Sequence, residues 1–388
     1  MNTIKTIFKN NVRQYGMLIA LVVIMLFFWI VTDGILMRPV NLTNLLLQNS
    51  YIIIMAIGML LIIITGGIDL SVGSVCGFIG GLAAVLIVRY HVNVFVTMLI
   101  CAAVGIVIGA WNGYWVAYQK IPAFIVTLAS MLIFRGLLLT LLGGESVGPF
   151  PPEFQKIASG FIPDFFNYPG FHLTSVVIGA ILSVIIVFSD IRGRKNNLKY
   201  EFEVLPFPFF IAKNVVIVAA IMGLCIVMAS YKGLPNVLVL MGVLAVIYSI
   251  LTNKTVFGRR IYALGGNEKA TKLSGIDTSK LVFLCFVNMG LLSAIAGMVF
   301  AARLNSATPK AGNSFEMDVI AANYIGGASA SGGVGTVVGA IIGAFIMGVL
   351  NNGMSIMGIN IDWQQVIKGL VLLAAVLFDV IQKNKSGR

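Results

Sequence analysis

Residues 65–73 read TGGIDLSVG, which sets a carboxylate, two hydroxyls and three glycines between apolar runs. We read Asp69 as the one acidic side chain of the sequence lying in such a setting. A carboxylate at membrane depth costs about 2.5–3.5 kcal/mol on insertion scales, so it faces a polar cavity or a partner group and not lipid. Gly66, Gly67 and Gly73, with the hydroxyls of Thr65 and Ser71, mark a helix that breaks here and frees backbone groups to line a path. Two kinds of chemistry follow: hydrogen bonding to a passing polar solute, or proton exchange on Asp69.

Constellations for bond-making chemistry are missing from the sequence. It contains no HExxH, and His91 and His172 fall in connections without a carboxylate cluster beside them. GxxxxGK[ST] is absent, as is any Gly-Lys dipeptide, so a nucleotide would have to be bound by another chain. Cys76, Cys101, Cys225 and Cys285 lie in apolar segments without CxxC spacing and read as small packing residues. Neither a cofactor nor a metal site is expected, and an intramembrane enzyme is disfavoured.

The elements that must position Asp69 are membrane helices. Hydrophobic residues make up 59% of the 388 positions and charged ones 10%, while each crossing needs roughly 20 mainly apolar residues. Apolar segments fall at 16–33, 50–65, 72–88, 94–117, 122–142, 174–189, 214–229, 235–252, 281–301, 317–330, 334–352 and 365–382. The expected fold is therefore all-α, a polytopic bundle of about ten to twelve membrane segments. As continuous helix, residues 51–88 reach only about 57 Å, short of two ~30 Å crossings. An arm beside Asp69 should then be short or re-entrant.

Charge sets the expected orientation. Residues 1–15, 118–121, 190–213, 253–280 and 383–388 collect most of the 26 Lys and Arg, and basic short loops stay on the cytoplasmic side. Both ends are expected inside. Arg135 and Lys368 fall within apolar segments, where they snorkel to an interface or face the bundle interior. The net charge of +12 then reflects topology and anionic lipid headgroups, not a nucleic-acid partner. Lys5, Lys9 and Arg13 precede an apolar run with no small-x-small site after it, so that run reads as an uncleaved first helix.

Glycines repeat with a helical period. Gly66-Gly67 is followed by Gly73, Gly77 and Gly81; Gly326-Gly327 is followed by Gly335, Gly339 and Gly343; Gly105, Gly109 and Gly113 form a third stripe. Glycine at every fourth position lets backbones approach closely in a membrane. The first two stripes each follow a polar break, TGGIDLSVG and GGASASGGVG. An internal repeat is expected, with a solute route between the halves near the broken helices.

One connection looks built for a partner. Within 253–280, Asn267 is a plausible N-cap, Glu268 sits in the first turn, Lys272 near the last, and Gly275 follows as a terminating glycine. Ala270, Leu273 and Ile276 would form a short apolar edge. A two-turn helix is not stable alone and needs a surface; an ordinary solvated loop is the competing reading.

Three motifs, TGGIDLSVGS at 65–74, GRRIYALGGNEKATKLSGI at 258–276 and IAANYIGGASASGGVGTVVGAIIGA at 320–344, resemble the membrane permeases of bacterial ABC sugar importers of the ribose, xylose, arabinose and galactose type. The similarity spans nearly the whole chain, and the extra connections at 143–173 and 190–213 bring it closer to the xylose or multiple-monosaccharide branch. The resemblance implies one permease domain over 1–388, with a short cytoplasmic N-terminus 1–15, a coupling loop 253–280 and a cytoplasmic tail 383–388, in a bacterial plasma (inner) membrane. It implies a cytoplasmic ATP-binding subunit, a periplasmic or extracellular sugar-binding protein, a second permease copy and a monosaccharide substrate. Gly266, Asn267, Glu268, Ala270 and Gly275 match the family's loop pattern, and that loop would sit in a cleft of the ATPase.

A neutral sugar is held by hydroxyl and amide groups with an occasional acid. The candidates for the translocation path or its gate are Asp69, Ser71, Asn112, Asn323, Ser329, Ser331, Asn351 and Asn352. Each asparagine reads equally well as glue between helices. A structural or gating role is favoured for Asp69, whose carboxylate would accept backbone hydrogen bonds that asparagine only half reproduces. The alternative function is a proton-coupled secondary transporter with Asp69 as the proton site; a non-transporting scaffold is a third.

Overall fold

The computed structural model describes residues 2–386 other than 167 and 203, with 2–15, 378 and 382–386 described by backbone alone. The side chains of the expected end segments 1–15 and 383–388 lie outside the described residues. Every apolar segment forms a helix: α1 (Asn2–Val31), α2 (Pro39–Ile64), α3 (Val72–Ala84, continued by a π turn to Arg89), α4 (Val94–Ala117) and α5 (Ala123–Leu142). After the short α6 (Pro152–Gln155) come α7 (Leu173–Lys199), α8 (Phe207–Ala229) and α9 (Asn236–Lys254). The remainder is α10 (Val256–Gly266), α11 (Glu268–Leu273), α12 (Thr278–Leu304), α13 (Phe315–Ile325), α14 (Val337–Ile356) and α15 (Ile361–Ser386). Among the described residues, ten helices are long and apolar enough to cross a membrane.

The centre of the bundle is α2. From Ile52 to Ile64 every residue is buried, including a continuous isoleucine-rich stretch, and a helix apolar all round belongs in the interior. Helices α12, α13 and α14 pack on it, and α12 also packs on α3 and α4. Glycine permits these approaches: a Cβ at Gly105 would lie 2.6 Å from the Gly290 carbonyl of α12, and one at Gly77 would strike the Ala311 carbonyl. By contrast, α7 and α8 pack mainly on each other and stay largely exposed, as suits helices at a lipid-facing rim.

Two length expectations change. Helix α2 begins at Pro39, well before the apolar run at 50, so its 26 residues reach about 39 Å and cross without a short arm. Hydropathy hides this start because Asn41, Thr43, Asn44, Gln48, Asn49 and Ser50 occupy its first half. The short arm lies at the second break instead, where α13 has 11 residues and spans only about 16 Å.

Candidate functional site

The chain leaves helix at both predicted breaks, after Thr65 and after Gly326. At the first, Asp69 Oδ1 accepts from the Ser71 backbone N–H at 2.8 Å and from Ser71 Oγ at 2.6 Å. Asn112 Nδ2 of α4 donates to Ser71 Oγ at 3.1 Å, and Ser130 Oγ of α5 donates to Asn112 Oδ1 at 2.5 Å. Three of the residues singled out from sequence, Asp69, Ser71 and Asn112, thus form one buried chain. Ser130 completes it and was invisible in sequence, being one hydroxyl in an apolar helix. Both bonds to Asp69 fall on a single oxygen, which an asparagine carbonyl also supplies. That revises the expectation that asparagine would reproduce only half of them.

The second break is held from outside. Ser329 Oγ donates to Asp379 Oδ2 of α15 at 3.0 Å and lies 3.4 Å from Ser331 Oγ. Tyr262 Oη of α10 donates to the Gly335 carbonyl at 2.6 Å. Burial raises the Tyr262 phenol above its ordinary range, which keeps it a donor.

These breaks meet at one joint. The Gly333 N–H donates to the Ile64 carbonyl at the end of α2, at 2.9 Å. Against that carbonyl lies Gly265 of α10, where a Cβ would strike Ile64 O and come within 2.5 Å of the Gly333 nitrogen. Gly332 and Gly333 have φ of +80° and +73°, a conformation that glycine adopts without penalty. A methyl group at Gly266, a match to the loop motif, would meet open space, whereas one at its neighbour Gly265 would not.

From this joint the chain runs into α11. Asn267 caps it, accepting from the Ala270 N–H at 3.0 Å, with Glu268 in its first turn and Lys272 in its last. Gly275 follows with φ +78°. Ala270 is exposed and Leu273 is 89% exposed. Sequence reasoning missed the preceding helix α10, whose start is capped by Thr255 accepting from the Gly258 N–H at 3.1 Å. The spacing of Phe257, Ile261 and Leu264 was the available signal.

The other candidates lie apart from the breaks. Asn323 Nδ2 donates to the Ala56 carbonyl at 3.1 Å and to Val319 O at 2.9 Å, tying α13 to α2. Asn352 exchanges two amide bonds with Asn41, at 2.9 and 3.0 Å. Asn351 Nδ2 lies 3.5 Å from Asp318 Oδ2. Asp69 is not the sole acid in an apolar setting, since Glu316, Asp318 and Asp379 are buried as well. Lys368 pairs with the buried Asp318 at 3.0 Å, whereas Arg135 NH1 donates at 2.8 Å to Oδ1 of the exposed Asn313, in the connection before α13.

Residues 41–376 of this bundle, whose two polar breaks are joined to an exposed loop helix, match the family described as branched-chain amino acid transport system / permease component. The chain belongs to that family, as a multi-pass permease subunit of the importer class that its three motifs resemble. It is 41% identical to the xylose transport system permease protein XylH of Haemophilus influenzae, over 97% of this chain and 98% of that one. The Escherichia coli K12 XylH is 39% identical over 97% and 94% of the two chains. The ribose import permease protein RbsC of the same strain is 38% identical over 87% and 85%. No solved structure matches the chain.

Proposed function

We propose that this chain is the membrane-spanning subunit of an ATP-driven monosaccharide importer, with xylose the first substrate to test. Relatives named for xylose transport are 41% and 39% identical over 97% of the chain, against 33% over 96% for the ribose import permease of Bacillus subtilis. The observation that carries the mechanism is the joint at Gly265. An exposed helix, α11, is fastened through α10 to the backbone of both breaks, so a push on α11 reaches the places where the helices open.

In this reading the whole chain acts as one permease unit in a bacterial inner membrane. A separate ATPase takes α11 into a cleft, a sugar-binding protein delivers substrate on the other face, and a second copy completes the path. Lys120 Nζ donates to Ser279 Oγ at 2.9 Å, which puts two of the basic loops at the same end of the bundle. The positive-inside rule makes that end cytoplasmic.

The test is co-purification. Leu273→Asp and Ala270→Glu should leave the permease in the membrane but lose the ATPase or its stimulation by loaded binding protein. Covering Leu273 is worth about 1.5–3 kcal/mol, and a charge at Ala270 would be desolvated in the cleft. Parental ATPase binding, hydrolysis and uptake in both variants would remove α11 from the coupling role.

A further inference from the structure

Beyond the two breaks lies a second polar constellation, between α13, α14 and α15. Lys368 Nζ meets Asp318 Oδ2 at 3.0 Å, and Asn351 Nδ2 reaches the same oxygen at 3.5 Å. Asp318 is 8% exposed, yet its Oδ1 has no partner, and neither has Asn351 Oδ1. Beside them is a cavity of about 240 Å³ whose lining includes Ser314, Asp318, Gln365 and Lys368 on its polar side and Met317 and Met347 on its apolar side. Drug-sized ligands occupy pockets of about 300–1,000 Å³, so this volume suits something smaller.

The charges narrow the ligand. Asp318 is already neutralised by Lys368, so a cation entering the cavity would meet the ammonium and an anion would meet the carboxylate. A neutral molecule with several hydroxyls satisfies both. One hydroxyl donates to the Asp318 carboxylate, another accepts a remaining Lys368 N–H, the Gln365 amide can do either, and the methionines cover a C–H face. Stability alone does not require the pair, because a buried ion pair adds little over a neutral substitute. Its cost at membrane depth points to function.

We propose that Asp318, Lys368 and Gln365, with Asn351 behind the carboxylate, form a sugar subsite on the translocation path, with the open side of the cavity, at Met317 and Gln365, turned to that path and not to lipid. This rests on the importer reading above and extends it. Because α13 runs directly from Asp318 into the second break, a sugar held here contacts the same short helix that the joint at Gly265 controls.

The test uses the permease reconstituted with its ATPase and binding protein, with xylose as probe. Asp318→Asn alone should lower uptake and thermal stability, since it leaves Lys368 unpaired. The double variant Asp318→Asn/Lys368→Met should regain stability and binding-protein-stimulated hydrolysis while uptake stays about tenfold or more below the parent. If the double variant transports within about twofold of the parent, the pair is structural and the subsite is refuted. Gly369→Phe is the independent probe: Gly369 lines the cavity and a Cβ there meets nothing within 4 Å, so a ring has room to cover the cavity mouth. It should block uptake; parental uptake would again refute the subsite. Absence of ATP-dependent uptake by the parent itself would instead overturn the importer reading, whatever the variants do.

Discussion

The two helix breaks solve the same backbone problem with different partners. The first draws its carboxylate from its own turn, Asp69 on Ser71, and passes the polarity on to Asn112 and Ser130 of the adjoining helices. The second has serines and glycines of its own and takes its carboxylate, Asp379, from α15 and a phenol, Tyr262, from α10. It also ends the short α13, whereas the first ends α2, the most enclosed helix of the bundle. A turn closed by local bonds keeps its shape whatever its neighbours do. A turn held by distant side chains follows them, so the second break is the one placed to respond when α10 is moved.

The most severe way to break this comparison is at the point where the two turns touch. Gly265→Val puts methyl groups into the Ile64 carbonyl and the Gly333 backbone, with overpacking worth about 1–3 kcal/mol and near-complete loss of ATP-dependent uptake. Gly266→Ala, in open space, should stay within about 0.5 kcal/mol of the parent. Thermal unfolding and uptake of the two purified variants decide the matter, and equal behaviour would show that the breaks are not packed through Gly265.

Next in size is the self-contained turn. Asp69→Ala leaves the Ser71 donors without their acceptor, at a cost of about 1–3 kcal/mol. Asp69→Asn keeps an acceptor at the Oδ1 position and should transport at a substantial fraction of the parental rate. A dead Asn variant of normal stability would show that the charge or the proton of Asp69 is needed, and would favour a proton-coupled carrier.

The smallest effect belongs to the borrowed partner. Tyr262→Phe removes one hydrogen bond to Gly335, about 0.5–1.5 kcal/mol, without touching the first break. ATPase binding should persist while more ATP is hydrolysed per sugar moved. An unchanged ratio would mean that α10 does not govern the second break through this bond.

Much of this architecture was legible in the sequence because it rests on local rules. Runs of apolar residues became helices, paired glycines marked both breaks, and the cap at Asn267 and terminator at Gly275 stand where the pattern put them. What was missed depends on contacts distant in sequence. The first half of α2 carries amides and hydroxyls that read as loop, yet several are buried or half-buried against neighbouring helices, and Asn41 bonds across to Asn352. Asp318 sat inside a segment read as apolar, and only the fold brings Lys368 to it. Gly265 looks like any glycine until α10 is seated on the end of α2, and nothing in its neighbours announces that seat.

The central claim is that energy for transport enters through α11 from another chain. Proteoliposomes holding this permease, with ATP inside and labelled xylose outside, test it when the ATPase and the binding protein are added or withheld in turn. Accumulation should require the ATPase, the binding protein and internal ATP together, and should be indifferent to a collapsed proton gradient. Accumulation by this chain alone, driven by a proton gradient, would contradict the account.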